Sequence, residues 1–271
     1  SLLKKNQIDY FIKDAKDSNE TKDIFNSIDP DIIIHLAAVS HANKSNKDPH
    51  TTFENSFRTL ESSLELAKIK KTHLIYLSSS MVYGNFEDLE VNEDTNCNPI
   101  GIYGNLKLGG EMMIRAYNQA FDLPYTIIRP SALYGERCVS RRVGQIFIEN
   151  AIQNQTIRVN GNGEDKLDFT YIKDLIEGIS ICCTNEKAIN EIFNITYGNA
   201  RKINDLLSIL KNEFPNINVE YKDREKLMPI RGTLSVKKAK NLLNFIPEFS
   251  IDTGYLKYIN WYKNFWKNLE V

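Results

Sequence analysis

Tyr103 and Lys107 stand four positions apart in "YGNLKLGGE" (103–111), a spacing that puts both side chains on one helical face. An unperturbed phenol ionises near pH ~10, too high for a base at neutral pH. A fixed ammonium beside it favours the phenolate and brings that proton into a useful range. Upstream lies the hydroxyl-rich "SSSMVYG" (78–84), whose Ser79 precedes Tyr103 by 24 positions. A serine at the end of a strand can share a substrate oxygen with the tyrosine. Such a triad suits removal of a proton from a sugar or alcohol hydroxyl while hydride leaves the same carbon for a nicotinamide. The lysine can also hold ribose hydroxyls of that cofactor. A Tyr-x-x-x-Lys pair alone is weak evidence, because Tyr103 could be packing and Lys107 a solvated face. The hydroxyl-rich strand end turns the reading toward chemistry.

The elements that must position these groups alternate in type. "IDYFI" (8–12) reads as a strand, and "SNETKDIFNSI" (18–28) as a helix capped by Ser18 or Asn19. "DIIIHLAA" (31–38), "THLIYLSSS" (72–80) and the start of "PYTIIRPSALYG" (124–135) read as buried strands, the last broken at Pro130. Between them, residues 51–71 and 101–121 have helical periodicity. The pattern predicts an α/β fold with a mainly parallel sheet. Beyond residue 135 short helices and strands alternate irregularly, ending in an aromatic amphipathic helix at 252–266. The expected division is a dinucleotide-binding domain over 1–135 and a smaller, mainly substrate-binding α/β lobe over 136–271, with sheet elements recurring in 165–200. No Gly/Ser/Pro linker separates them, so a cleft between packed lobes is expected. Ligands of such sheets bind at the carboxyl ends of the strands, where "HLAAVS", "SSSMVYG" and "RPSALYG" all fall.

Bulk properties exclude several classes. The 271 residues carry a formal net charge of -1, so the overall field gives no reason to expect a nucleic acid partner. No apolar run has the length of a bilayer span, and "SLLKKNQIDY" has no signal-peptide pattern. The four cysteines, Cys97, Cys138, Cys182 and Cys183, form no C-x-x-C pair. They read as reduced thiols of a cytoplasmic protein, and no metal is expected.

Taken in order, "PDIIIHLAAVS", Ser45 to Pro49 followed by Asn55, "SSSMVYG", "YGNLK", "RPSALYGER" and "GNGEDKLDFTYIKD" resemble the extended short-chain dehydrogenase/reductase family. The likeness is to its NAD-dependent nucleotide-sugar epimerases and dehydratases, the UDP-galactose 4-epimerase-like branch. The resemblance implies a Rossmann-type doubly wound sheet, NAD as cofactor (NADP stays open) and a nucleotide-sugar substrate. It implies Ser79, Tyr103 and Lys107 as catalytic residues. Asp14, Ala15, Leu36, Ala37, Ala38, Asn55, Ser78 and Ser131 join Tyr103 and Lys107 at the cofactor. Ser79, Ser80 and Arg231 fall on the substrate side, Arg231 where the family grips the pyrophosphate. Helices 51–70 and 101–121 resemble those that pair in family homodimers, with Gly109 and Gly110 permitting close approach.

The departures narrow the chemistry. Ser80 and Met81 replace the Asp-Glu of the family's dehydratases, and Met81 cannot protonate a leaving hydroxyl. A cysteine at that position, found in the epimerase-reductases that make fucose nucleotides, is absent too. What remains is redox at one ring carbinol: epimerisation at C4 through a transient keto sugar. A 4-reductase or dehydrogenase is the alternative, and a non-catalytic dinucleotide-binding protein a third. Ala132 and Leu167 replace an asparagine and an arginine that hold phosphate in the family. That load then falls on "ERCVSRRVGQ" (136–145), through Arg137, Arg141 or Arg142, although a solvated basic loop is nearly as good a reading. Nothing here matches the family's opening strand and G-x-x-G-x-x-G turn, and "IDYFI" corresponds to its third strand. The resemblance implies that about forty to fifty residues of the parent precede Ser1, judged from the size of a βαβ unit. Without them the strand at 31–36 would expose an unpaired apolar edge, and dinucleotide binding would be poor.

Overall fold

Four short apolar runs pair in sequence order into one parallel sheet: β1 (Ile32–His35), β2 (His73–Leu77), β3 (Tyr125–Arg129) and β4 (Glu191–Asn194). The computed structural model describes residues 2–267. Ile32 lies opposite His73, Leu74 opposite Tyr125, and Thr126 opposite Glu191. The longer helices are α1 (Ser18–Ile28), α2 (Thr59–Lys70), α3 (Gly101–Phe121), α4 (Val143–Ile152), α5 (Ile172–Thr184), α6 (Ile203–Glu213) and α7 (Ile251–Lys267).

The strands read as continuous apolar runs because helices cover both faces. On one face Leu60, Leu64 and Ala67 of α2 and Ile114 of α3 pack on Leu74, Tyr76 and Ile127. On the other, Leu175 and Cys182 of α5 and Leu243 pack on Ile75, Ile128 and Phe193. Each fully enclosed aliphatic side chain is worth about 1.5–3 kcal/mol, so the sheet is a rigid base for whatever its strand ends carry. The sheet draws α5 and β4 from beyond residue 135. The remaining elements, α4, α6 and α7, gather around a second, aromatic core that includes Tyr134, Phe147, Tyr171, Tyr255 and Tyr258. Buried Asp168 joins this part to the sheet, accepting from Thr196 Oγ1 (3.2 Å), Gly198 N (3.1 Å) and Leu234 N (3.0 Å).

Three local readings are corrected. Residues 8–12 form no strand, and Ile12 is 90% exposed. A β-type pattern needs a neighbour to complete its ladder, and no described strand pairs with this segment or with the outer edge of β1. The cap of α1 is Asp17, not Ser18 or Asn19; its carboxylate accepts from Asn19 N and Glu20 N. Gly110 serves contacts inside the chain: a Cβ there would stand 2.7 Å from the Tyr76 hydroxyl and 2.9 Å from Leu60.

Helix 51–71 also gains detail. Asp48 caps a turn at Pro49–Phe53 by accepting from Thr51 N (3.0 Å), and a π-helical turn at Glu54–Arg58 leads into α2. Such turns occur often at functional sites, and this one carries Asn55.

Candidate active site

Ser79 stands where β2 becomes a tight turn. Its hydroxyl accepts from Met81 N (3.2 Å) and caps the turn Ser80–Tyr83. The first turn of α3 brings Tyr103 beside it, close enough for the Ser79 hydroxyl to act on the proton affinity of the phenol. Gly104 makes that approach possible, since a Cβ there would meet Met81 O at 2.7 Å. The sequence therefore sets the serine with a strand end and a cap, and the tyrosine with a helix that only glycine lets close.

Lys107 is buried one turn further along α3. Its Nζ donates to Leu77 O (2.6 Å) and lies 4.7 Å from the centroid of the Tyr76 ring. Burial pushes this ammonium down to about 8, and the Glu111 carboxylate pulls it back up. The Tyr103 phenol is raised, not lowered. Burial dominates, opposed by the neighbouring Ser79 hydroxyl and by the charge of Arg142. The expectation that Lys107 depresses Tyr103 is thus corrected: its ammonium is engaged by a carbonyl and a ring, and Arg142 is the cation that acts on the phenol.

His35 ends β1 in the same neighbourhood. Burial and the Lys107 charge push it down to about 4. Its Nδ1 lies 2.9 Å from Ser63 Oγ, whose own proton goes to Thr59 O (3.2 Å). Nδ1 is then the protonated nitrogen, and buried Nε2 has no partner.

The loop after β1 lies on the π-helical turn. Thr59 Oγ1 donates to Ala37 O (3.2 Å), and Val39 N donates to Ser56 Oγ (3.0 Å). Leu36 and Ala37 are exposed; Ala38 and Asn55 are half-buried. At the end of β3, Ser131 is buried with its carbonyl taken by Thr170 Oγ1 (2.6 Å), while its own hydroxyl has no partner. The next residue, Ala132, has φ +38°, a left-handed backbone that a residue with a Cβ adopts at a cost of order 1 kcal/mol. Asp14 is exposed and accepts from Lys16 N (3.0 Å); this turn leans on α2 through Ser62 Oγ and Lys16 O (3.5 Å), with Ala15 half-buried in it. Ser78 departs from expectation. Its hydroxyl donates to Glu111, a buried carboxylate that also holds Arg129, so the side chain is committed to that pair.

Two of the candidate arginines, Arg142 and Arg231, lie within electrostatic reach of each other. Arg142 donates to Ser40 O, the loop beyond β1. Arg231 is half-buried with its Nε enclosed and unpartnered. Burial pushes it down to about 10, the Arg142 and Arg224 charges act the same way, and Asp165 opposes them. Arg224, which sequence reasoning missed, donates its Nε to both oxygens of Asp165 (3.1 Å). Arg231, with the Arg142 and Arg224 charges acting on it and its Nε unpartnered, is placed to favour an anionic ligand. Arg141 does not belong to this group: it pairs with Glu149 on α4 (3.0 Å). Arg137 is exposed, and Ser80 is buried with its amide on Pro130 O (2.9 Å).

A hydroxyl, a phenol and an ammonium at one strand end are groups able to move a proton at an alcohol oxygen, and arginines with a free donor are able to hold an anion. The family model described as "NAD dependent epimerase/dehydratase family" matches residues 4–196. The chain belongs to that family. It is 32% identical over 245 residues to the putative UDP-glucose 4-epimerase of Methanocaldococcus jannaschii, covering 87% of this chain and 78% of that protein. It is 28% identical over 272 residues to the dTDP-D-glucose 4,6-dehydratase of Bos taurus, covering 95% and 75%. The crystal structure of UDP-glucuronic acid 4-epimerase from Bacillus cereus, in complex with UDP-glucuronic acid and NAD, superposes with a TM-score of 0.90 at 26% identity, covering 97% of this chain and 85% of that one.

The chain is therefore an enzyme of the NAD-dependent epimerase/dehydratase type, with NAD as its cofactor. The residues present fit that group. Leu77 O engages one of the three N–H donors of Lys107, the Ser131 hydroxyl is buried and unpartnered, and the small side chains of Ala37 and Ala38 leave the loop above β1 open. A surface cleft of about 770 Å³ between α1 and α2, lined by Lys16, Lys22, Glu54, Arg58 and Glu61, holds none of these groups.

Proposed function

We propose that this protein epimerises a nucleotide-activated sugar by transient oxidation of one ring carbinol, at C4. The observation that carries the reading is the approach of the first turn of α3, which bears Tyr103, to the Ser79 turn at the end of β2, where a Cβ at Gly104 would meet Met81 O at 2.7 Å, with Met81 at the position where a dehydratase needs an acid. In this reading Tyr103 takes the carbinol proton at its phenol oxygen and returns it, and Ser79 Oγ holds the substrate oxygen in line. Arg142, by its charge, eases formation of the phenolate. Lys107, Ser131, Asn55 and the Leu36–Ala38 loop hold the cofactor, with Asp14 and Ala15 toward its adenine. NAD, when bound, supplies the hydride acceptor. Arg231 and Arg142 hold the diphosphate, with Arg224 behind them; Arg137 lies further out. Residues 1–135 form most of the cofactor domain and 136–271 most of the substrate lobe.

The test is incubation with NAD and UDP-glucose, UDP-glucuronic acid or dTDP-glucose, followed by proton NMR. Inversion at C4 without net NADH is the expected result. Stoichiometric NADH turnover would make the enzyme a reductase or dehydrogenase, and loss of water from C6 a dehydratase. Arg231→Ala removes charged hydrogen bonds worth about 1.5–3 kcal/mol each, so KM should rise roughly 10- to 100-fold with kcat nearly unchanged. An unchanged KM would remove Arg231 from the diphosphate site.

We further propose a homodimer through helices 51–70 and 101–121. Phe53 and Met112 are 41% and 62% exposed, an apolar character that pairing would cover. Light scattering at micromolar concentration should give twice the 31.2 kDa chain mass, and Met112→Lys should halve it; a monomeric wild type would dismiss the assembly. Among the described residues no helix is long and apolar enough to cross a membrane. All four cysteines are free thiols, which suits a place in the cytoplasm.

A further inference from the structure

Behind the triad lies a buried polar network that the redox reading does not use. Glu111 follows Lys107 by one helical turn and is buried to 2% exposure. Its carboxylate accepts from Arg129 Nε (3.0 Å) and Arg129 Nη2 (2.6 Å), and also from the Ser78 hydroxyl. Arg129 Nη1 donates to the Tyr83 hydroxyl (3.0 Å), which donates to Asn194 Oδ1 (2.8 Å). Asn194 Nδ2 then reaches Ser235 O (3.2 Å), four residues beyond Arg231. One continuous chain thus joins the strand end carrying Ser79, the helix carrying Tyr103 and Lys107, and the segment carrying Arg231.

Burying an ion pair only to gain stability is inefficient, since apolar side chains of equal volume often do as well. A pair that fixes geometry has another reason to exist. We propose that Glu111 is a positioning residue for the redox step: with Arg129 and Ser78 it locks β2 to α3, so that Ser79, Tyr103 and Lys107 keep one frame. This rests on the triad assignment above.

The groups facing Lys107 are Leu77 O and the Tyr76 ring from β2, His35 from β1, and Glu111 from its own helix. His35 is neutral near pH 7 and the Tyr76 hydroxyl is pushed far up by burial. Glu111 is therefore the anion that sustains the ammonium. Without it Lys107 should lose its proton at lower pH.

The experiment compares the full chain with Glu111→Gln, Ser78→Ala and Tyr103→Phe, using UDP-glucose and UDP-glucuronic acid as probes. Lys107 is titrated by NMR in protein labelled at lysine Cε. Wild type should titrate near about 8, and Glu111→Gln at least about half a unit lower. Its kcat should fall about tenfold with KM within twofold, and the alkaline limb of kcat should move down with the Lys107 midpoint. Should Glu111→Gln fail to fold, Ser78→Ala, which keeps the ion pair, carries the test: kcat falls severalfold at unchanged KM and melting temperature. A Glu111→Gln protein with wild-type kcat and an unmoved Lys107 midpoint overturns the inference, as does a loss confined to stability. Activity retained in Tyr103→Phe would instead overturn the triad, which separates the two failures.

Discussion

Tyr103→Phe should lower kcat about 10³-fold, within the range assigned to a positioned acid/base, while the fold and the KM for nucleotide sugar stay close to wild type. The side chain is half-buried, and removing its oxygen leaves Ser79 with its bond from Met81 N (3.2 Å). No buried charge is stranded, so melting should shift little. The structure adds a sign to the pH profile. Burial holds the phenol above its ordinary value, while the neighbouring Ser79 hydroxyl and the Arg142 charge work against that rise. Loss of the Arg142 charge in Arg142→Gln should therefore move the acid limb of kcat upward. Tyr103→Phe with more than a tenth of wild-type kcat would remove the tyrosine from the proton transfer. An acid limb unmoved in Arg142→Gln would leave Tyr103 in place and remove the arginine from its activation.

Much of this site is legible in the sequence because its pieces are local. The strand ends at Leu77 and Arg129 and the helix over Gly101–Phe121 follow from apolar runs and periodicity. The Tyr103–Lys107 spacing follows from helix geometry. What fails is whatever depends on a distant partner. "IDYFI" has every local mark of a strand, yet a strand exists only with a neighbour, and residues 8–12 have none among the described elements. The same limit explains Lys107 and Tyr103. Their spacing is a property of the helix, but their proton affinities follow burial, the largest cause for both. Arg142 reaches Ser40 across 102 positions, so no motif could single it out from Arg137 and Arg141. Gly110 looks like a contact for a second chain until the sheet brings the Tyr76 hydroxyl to it. Glu111 stands visibly one turn after Lys107, but its partner Arg129 lies on a different element. Only the packing of α3 on β3 joins them.

Arg129→Met should be the most destabilising single change at the site. Its guanidinium serves Glu111 with two hydrogen bonds and the Tyr83 hydroxyl with a third. Both members of the ion pair are nearly inaccessible, with side chains 4% and 3% exposed. Methionine has similar length and no charge, so the change leaves the Glu111 carboxylate buried with the Ser78 hydroxyl as its main donor. Breaking one side of such a pair costs about 3–5 kcal/mol, or very roughly 6–20 °C in melting temperature for a chain of this size. Glu111→Leu together with Arg129→Met removes both charges and replaces them with apolar bulk. The double variant should therefore recover most of the lost stability, and a double-mutant cycle should show strong coupling. Activity should not return with it, because Lys107 has lost its anion and Ser78 its acceptor. Stability restored without turnover would separate the folding role of this pair from its positioning role. A double variant as unstable as the sum of the two single changes would show instead that Arg129 and Glu111 act on the fold independently.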